Sequence, residues 1–170
     1  MKPLQDYLMH YIIKKAEEIN IPIKIHTGIQ EGKNYVTNSN PTLLLEILNE
    51  YKNVNFVLLH GGYPYINEAI SIAKYYPNVY LDTCWLHIIS PTASRFNMHQ
   101  LIEAIPSNKV FGFGGDYYLI EGALGHLIIT KRNIARVLSE KIDENYFSKK
   151  QAIKYALDIL YYNPKELFRI

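Results

Sequence analysis

The chain has 170 residues, enough to bury one sizeable core and about right for a single domain spanning 1–170. Hydrophobic residues make up 48% and charged residues 20%, and the formal net charge is +2 with no basic block, which excludes a disordered chain and gives no reason to expect nucleic acid. No run approaches the roughly 18 apolar residues of a membrane span, residues 1–11 carry no signal-peptide core, and the single Cys84 cannot form a disulfide within the chain, so a reducing cytoplasm is the expected setting.

Leu4, Leu8, Tyr11, Ile12, Ala16 and Ile19 recur at helical spacing, predicting an amphipathic helix over 3–20 that Ile21-Pro22 breaks. Residues 23–27 are short, β-branched and bounded by Gly28, the pattern of a buried strand. A polar loop over 28–40 follows, and Asn40-Pro41 supplies an N-cap and a first-turn proline for the next helix. The unit then repeats. Residues 54–60 form an apolar strand, and 61–76 a turn and helix. Residues 79–84 form a third strand, 85–97 a loop and 98–105 a helix. Residues 109–114 form a fourth strand, followed by a loop with Asp116 and a long helix to about 142. Ser148 and Gln151 form a capping box for a last helix through Tyr161, and Asn163-Pro164 opens a terminal turn.

Apolar strands alternating with helices predict an α/β fold with a parallel sheet covered by helices. The spacing of His60 and Asp116, two units apart, gives about 28 residues per unit, whereas a (β/α)8 barrel needs roughly 220–250 residues in all. The chain therefore fits either an open sheet or part of a barrel.

Three ionisable residues fall at one structural place. His26 and His60 end the first and second strands, and Asp116 follows the fourth. Ligands bind at that edge in parallel α/β folds, open or closed. Histidine and aspartate together suit Zn²⁺, Mn²⁺ or Fe²⁺, although a histidine ending a buried strand is also a common structural residue.

The segments Ile23-Lys24-Ile25-His26-Thr27-Gly28, Leu58-Leu59-His60-Gly61-Gly62-Tyr63-Pro64, Val79-Tyr80-Leu81-Asp82-Thr83-Cys84-Trp85 and Phe113-Gly114-Gly115-Asp116-Tyr117 resemble, in this order, the fifth to eighth strands of amidohydrolase-related proteins. The tail from Tyr155 to Phe168 is similar to that family's end. Within the family, the branch of nodulin-type glutamine synthetase fusions and uronate-isomerase-like barrels is the nearest in character. The resemblance implies the C-terminal half of a metal-dependent TIM barrel. It makes His26 a metal ligand, His60 a second ligand or a catalytic base and electrophile, and Asp116 a carboxylate that touches the metal and takes a proton from its water. The implied cofactor is a divalent metal, zinc first, with manganese or iron as alternatives, or a site left without metal.

One departure bears on whether the chain is an enzyme at all. The family carries a His-x-His pair on its first strand. Here the histidines are His10, His26, His60, His87, His99 and His126, and no two are separated by two positions. The expected function is a metal-dependent hydrolase of a small amide, ester, lactone or sugar acid. The alternative is a catalytically incomplete half-barrel that associates or binds. Open sheet edges favour a homo-oligomer, or a complementary N-terminal half, as partner.

The remaining candidates carry two readings each. Trp85, His87 and Arg95, after the third strand, can contact substrate or simply occupy a loop or core. Gly61-Gly62 can present backbone N–H groups to an anion or merely permit a turn. Asp82 points from a strand interior and can pair inside the barrel. Cys84 reads as a small buried hydrophobe, and His10, His99 and His126 as surface or packing residues.

Overall fold

The computed structural model describes residues 2–32 and 35–170. Positions 33 and 34 of the expected polar loop lie outside the described residues.

Four strands form one parallel sheet in the order β1-β2-β3-β4: β1 (Ile23–Ile25), β2 (Phe56–Leu58), β3 (Val79–Asp82) and β4 (Val110–Phe111). The register pairs Ile25 with Leu58, Leu58 with Leu81, and Leu81 with Val110, so the C-terminal ends of the strands come level. Each strand is shorter than the apolar run that encodes it, because the chain turns sharply where its chemically distinctive residues begin.

Helices connect the strands: α1 (Lys2–Ile19), α2 (Leu45–Glu50), α3 (Ile66–Tyr75), α4 (Leu86–Ile89), α5 (Pro91–Ala104), α6 (Ile120–Asp143), α7 (Lys149–Leu157) and α8 (Asn163–Phe168). Side-chain capping sets several starts. The Asn40 side chain accepts from the Thr42 N–H ahead of α2, Ser90 accepts from Ala93 ahead of α5, and Ser148 and Gln151 cap α7 reciprocally. Residues 85–97 are therefore not the expected loop. Ser90-Pro91 is an N-cap followed by a first-turn proline, and it starts α5 seven residues before the expected position.

One face of the sheet carries Phe56, Leu58, Val79, Leu81 and Val110 into a core shared with α2, α3, α5, α6 and α7. Val57, Tyr80 and Phe111 lie on the opposite face, where Phe111 stacks on Tyr80 and meets Phe168 of α8. Asn78 ties the base of the sheet together by donating to the carbonyls of Tyr51 and Val54, both at 3.0 Å.

The orientation of α1 differs from the expectation. Ile13 and Ala16 are its buried residues, while Leu4, Leu8, Tyr11 and Ile12 are exposed. On α6, Ile120, Leu124 and Ile128 form a second exposed stripe at four-residue spacing. α6 packs against α4, α5 and α7, and β1 and β4 are the edge strands of the sheet. Among the described residues, no helix is long and apolar enough to cross a membrane.

Candidate metal centre

Every side chain of the site is delivered by a turn at the C-terminal edge of the sheet. His26 directly follows β1, His60 lies two residues beyond the end of β2, Cys84 and Trp85 follow β3, and Asp116 follows β4. His60, Trp85 and Asp116 sit in the left-handed region, with φ of 63°, 62° and 50°. That conformation is uncommon for any residue with a Cβ and turns each side chain toward the edge cavity.

His26 and His60 meet at its floor, with ring centres 4.3 Å apart. His60 Nδ1 lies 2.9 Å from the Cys84 carbonyl, and His26 Nε2 lies 2.9 Å from the Ile29 carbonyl. A carbonyl only accepts, so these two nitrogens carry the hydrogens and the tautomers follow. In neutral rings the inner nitrogens, His60 Nε2 and His26 Nδ1, then face each other as lone pairs at 3.3 Å. Burial holds the His60 imidazole below its usual pKa and the neighbouring His26 adds to that, outweighing the Cys84 carbonyl and the carboxylates of Asp116 and Asp82. Two facing lone pairs repel unless a proton or a cation lies between them.

The donor set fits a divalent metal. Zinc–nitrogen bonds of about 2.0–2.1 Å in a tetrahedral arrangement set neighbouring nitrogens roughly 3.4 Å apart, and ligating histidines commonly donate their other N–H to a backbone carbonyl. One donor atom each from His60, Cys84 and Asp116 also lie within 4.8 Å of one another. Sequence reasoning brought His26, His60 and Asp116 to this place and missed Cys84. Its only signal is position, at the same strand end as the others.

Asp82, buried at 1% exposure, supports the edge from below. Its carboxylate accepts from Lys24 Nζ at 3.2 Å and from the Cys84 N–H at 2.9 Å. Burial raises its pKa, and the Lys24 ammonium and the Cys84 N–H act against that. The expected pairing of Asp82 inside the fold is thus with Lys24.

The cavity above the histidines has a volume of about 680 Å³ and is lined by His26, Ile29, Gln30, Glu31, His60, Trp85, Ile89, Asp116, Tyr117 and Tyr118. Trp85 donates from Nε1 to the Asp116 carbonyl at 2.9 Å and packs against Tyr117. Gly61 and Gly62 are buried and serve the turn after β2, both with positive φ.

His87 and Arg95 do not line the cavity. Because 86–89 and 91–104 are helical, His87 turns into the core at 1% exposure, with Nε2 3.2 Å from Thr83 Oγ1. Arg95 lies on α5, and its guanidinium reaches Thr92. The other histidines are placed as expected: His10 bonds Tyr51, His99 pairs with Glu140, and His126 packs in the interior against Phe113.

Burial, reinforced by His126, pushes the His87 imidazole down to about 4, against a hydrogen bond the ring donates to the Gly112 carbonyl. The fold therefore holds His87 neutral, while the unfolded chain takes up a proton as pH falls through the ordinary value of about 6.5. His87 accordingly contributes its full stability above pH 6.5 and loses it progressively down to about pH 4, a total of roughly 3 kcal/mol. Urea midpoints between pH 7.5 and 4.5 should fall less steeply in His87→Gln than in the wild type. Parallel slopes would refute this account.

Comparison with known proteins fits this geometry. An amidohydrolase family model matches residues 2–170. Protein fluG of Emericella nidulans is 29% identical over 175 residues, covering 99% of this chain and 20% of its own length. Among solved structures, a Lactobacillus casei ATCC 334 protein assigned to the metal-dependent hydrolases superposes with a TM-score of 0.83 at 21% identity, over 99% of this chain and 44% of its own. Uronate isomerase from Thermotoga maritima superposes at 0.79 and 19% identity, over 95% of this chain and 40% of its own. The chain thus spans about a fifth of the curated relative and less than half of either structure. The shared fold is part of a (β/α)8 barrel, four consecutive βα units with the cavity at the C-terminal face of the strands.

Proposed function

This chain belongs to the amidohydrolase family, and from that membership we propose that it forms half of a metal-dependent hydrolase site acting on a small polar substrate. The observation that carries the reading is the facing of His26 Nδ1 and His60 Nε2 at 3.3 Å, each ring oriented by a backbone carbonyl. His26, His60 and Asp116 hold the ion, zinc in preference to manganese or iron. When bound, it supplies Lewis acidity, polarising a substrate oxygen and acidifying water.

The chain's own residues do the rest. Asp116, exposed at the cavity mouth, accepts a proton at its carboxylate. The Trp85 indole fixes the Asp116 backbone through its N–H and offers a flat apolar wall beside Tyr117. Among the described residues the lining holds two carboxylates, Glu31 and Asp116, and neither lysine nor arginine, which suits a neutral amide, ester or lactone better than a sugar acid.

A second reading concerns association. The stripes Leu4-Leu8-Ile12 on α1 and Ile120-Leu124-Ile128 on α6 are exposed, and the sheet has two open edges, at β1 and β4; apolar surface and unpaired edges of that kind mark a contact. We infer that four further βα units dock there, from a second copy of the chain or a complementary N-terminal half, and complete the ligand set.

Elemental analysis of the purified protein, with its mass in solution from light scattering, tests both readings. Near-stoichiometric zinc in a species at least twice the chain mass is the expected result. Metal-free protein would remove the catalytic reading, and a monodisperse monomer would remove the association.

A further inference from the structure

Resting on the metal reading above, we propose that Cys84 is a thiolate ligand of the ion at this edge, which makes the centre thiophilic. Donor atoms of His60, Cys84 and Asp116 lie within 4.8 Å of one another. Donors on a single tetrahedral zinc, at about 2.0–2.3 Å each, stand roughly 3.3–3.8 Å apart, so the three groups must draw together by up to about 1.5 Å. Asp116 is exposed on its turn and free to adjust its rotamer, while His60 and Cys84 are buried.

Cys84 is placed as a ligand would be. Its N–H is held by Asp82 Oδ1 at 2.9 Å, and its carbonyl orients the His60 ring at 2.9 Å. One residue therefore both aims His60 and brings sulfur beside it. Space for the sulfur comes from Gly114 across the β3–β4 edge, where a Cβ would stand 2.9 Å from Cys84 Sγ and 2.8 Å from its Cβ. Any larger residue at 114 would displace the thiol. Cys84 is free of disulfide bonding. On coordination the thiol releases its proton to solvent and the sulfur binds as thiolate. A soft ligand among histidine and carboxylate favours zinc, cobalt and cadmium over manganese and magnesium.

The test is cobalt titration of the metal-free full chain, followed by absorption. Wild type should develop a near-ultraviolet sulfur-to-cobalt charge-transfer band, absent from Cys84→Ser and Cys84→Ala. Cys84→Ser should weaken cadmium binding by about 10- to 100-fold or more and manganese binding by much less, with circular dichroism confirming the fold of each variant. Cobalt binding to wild type without the band, or cadmium affinity unaltered by Cys84→Ser, overturns the role of Cys84 and leaves the histidine site intact. Failure of wild type to bind cobalt at all overturns the metal site and the thiolate together.

Discussion

His26→Ala is expected to lower zinc affinity by more than about 100-fold, beyond the 10- to 100-fold typical of losing a residue that merely supports a ligand. The metal-free melting temperature should stay within about 2 °C of wild type. The two halves of that outcome have separate causes. His26 is exposed, and its one backbone partner, the Ile29 carbonyl, lies on an exposed residue that water can satisfy. Surface substitutions of this kind stay within roughly 0.5 kcal/mol, or about 2 °C in a chain this long. The inner nitrogen, by contrast, faces His60 Nε2 at 3.3 Å and is the atom that would bind the ion. Calorimetric zinc titration and a thermal melt on metal-free protein read both quantities. Zinc affinity unaltered by the substitution would remove His26 from the ligand set.

Gly28→Ala is the largest destabilisation expected of a single added methyl. Gly28 has φ 76°, and a Cβ built there falls 2.0 Å from the Tyr63 carbonyl oxygen, a backbone atom that no side-chain rotation can move. Overpacking costs about 1–3 kcal/mol and the left-handed conformation a further 1–2 kcal/mol. A combined loss of roughly 2–5 kcal/mol should lower the melting temperature by about 4–20 °C. The consequence extends to the site. Ile29 N–H donates to that same Tyr63 oxygen at 2.7 Å, Gly28 N–H donates to Ser39, and the Ile29 carbonyl orients His26. Zinc binding should therefore weaken in the folded fraction as well. A melting temperature within 3 °C of wild type would show that the β1 and β2 turns separate more freely than their contact implies.

Much of this arrangement was legible in the residues. His26, His60 and Asp116 each follow an apolar run, and parallel strands put such residues on one edge whatever their sequence separation. The short motifs around them carried the family resemblance for the same reason, since the turn residues are constrained by backbone shape. What stayed hidden depends on partners in three dimensions. The period of α1 marks an apolar stripe but not what covers it, and here Ile13 and Ala16 face the sheet while Leu4, Leu8 and Ile12 face outward. Ser90-Pro91 is as good a helix start as Asn40-Pro41, and reading 85–97 as loop is what put His87 and Arg95 on the substrate side. Cys84 escaped because one cysteine after a buried strand has the local pattern of a core residue. Only the approach of His60, Asp116 and the bare Gly114 distinguishes it.

The left-handed turns at His60, Trp85 and Asp116 bear on how the sequence can drift. Each holds a side chain where the backbone would be more relaxed with glycine, at a strain of order 1–3 kcal/mol apiece. A population selected for thermal robustness alone would gain by exchanging these residues and would erase the edge chemistry while improving the scaffold.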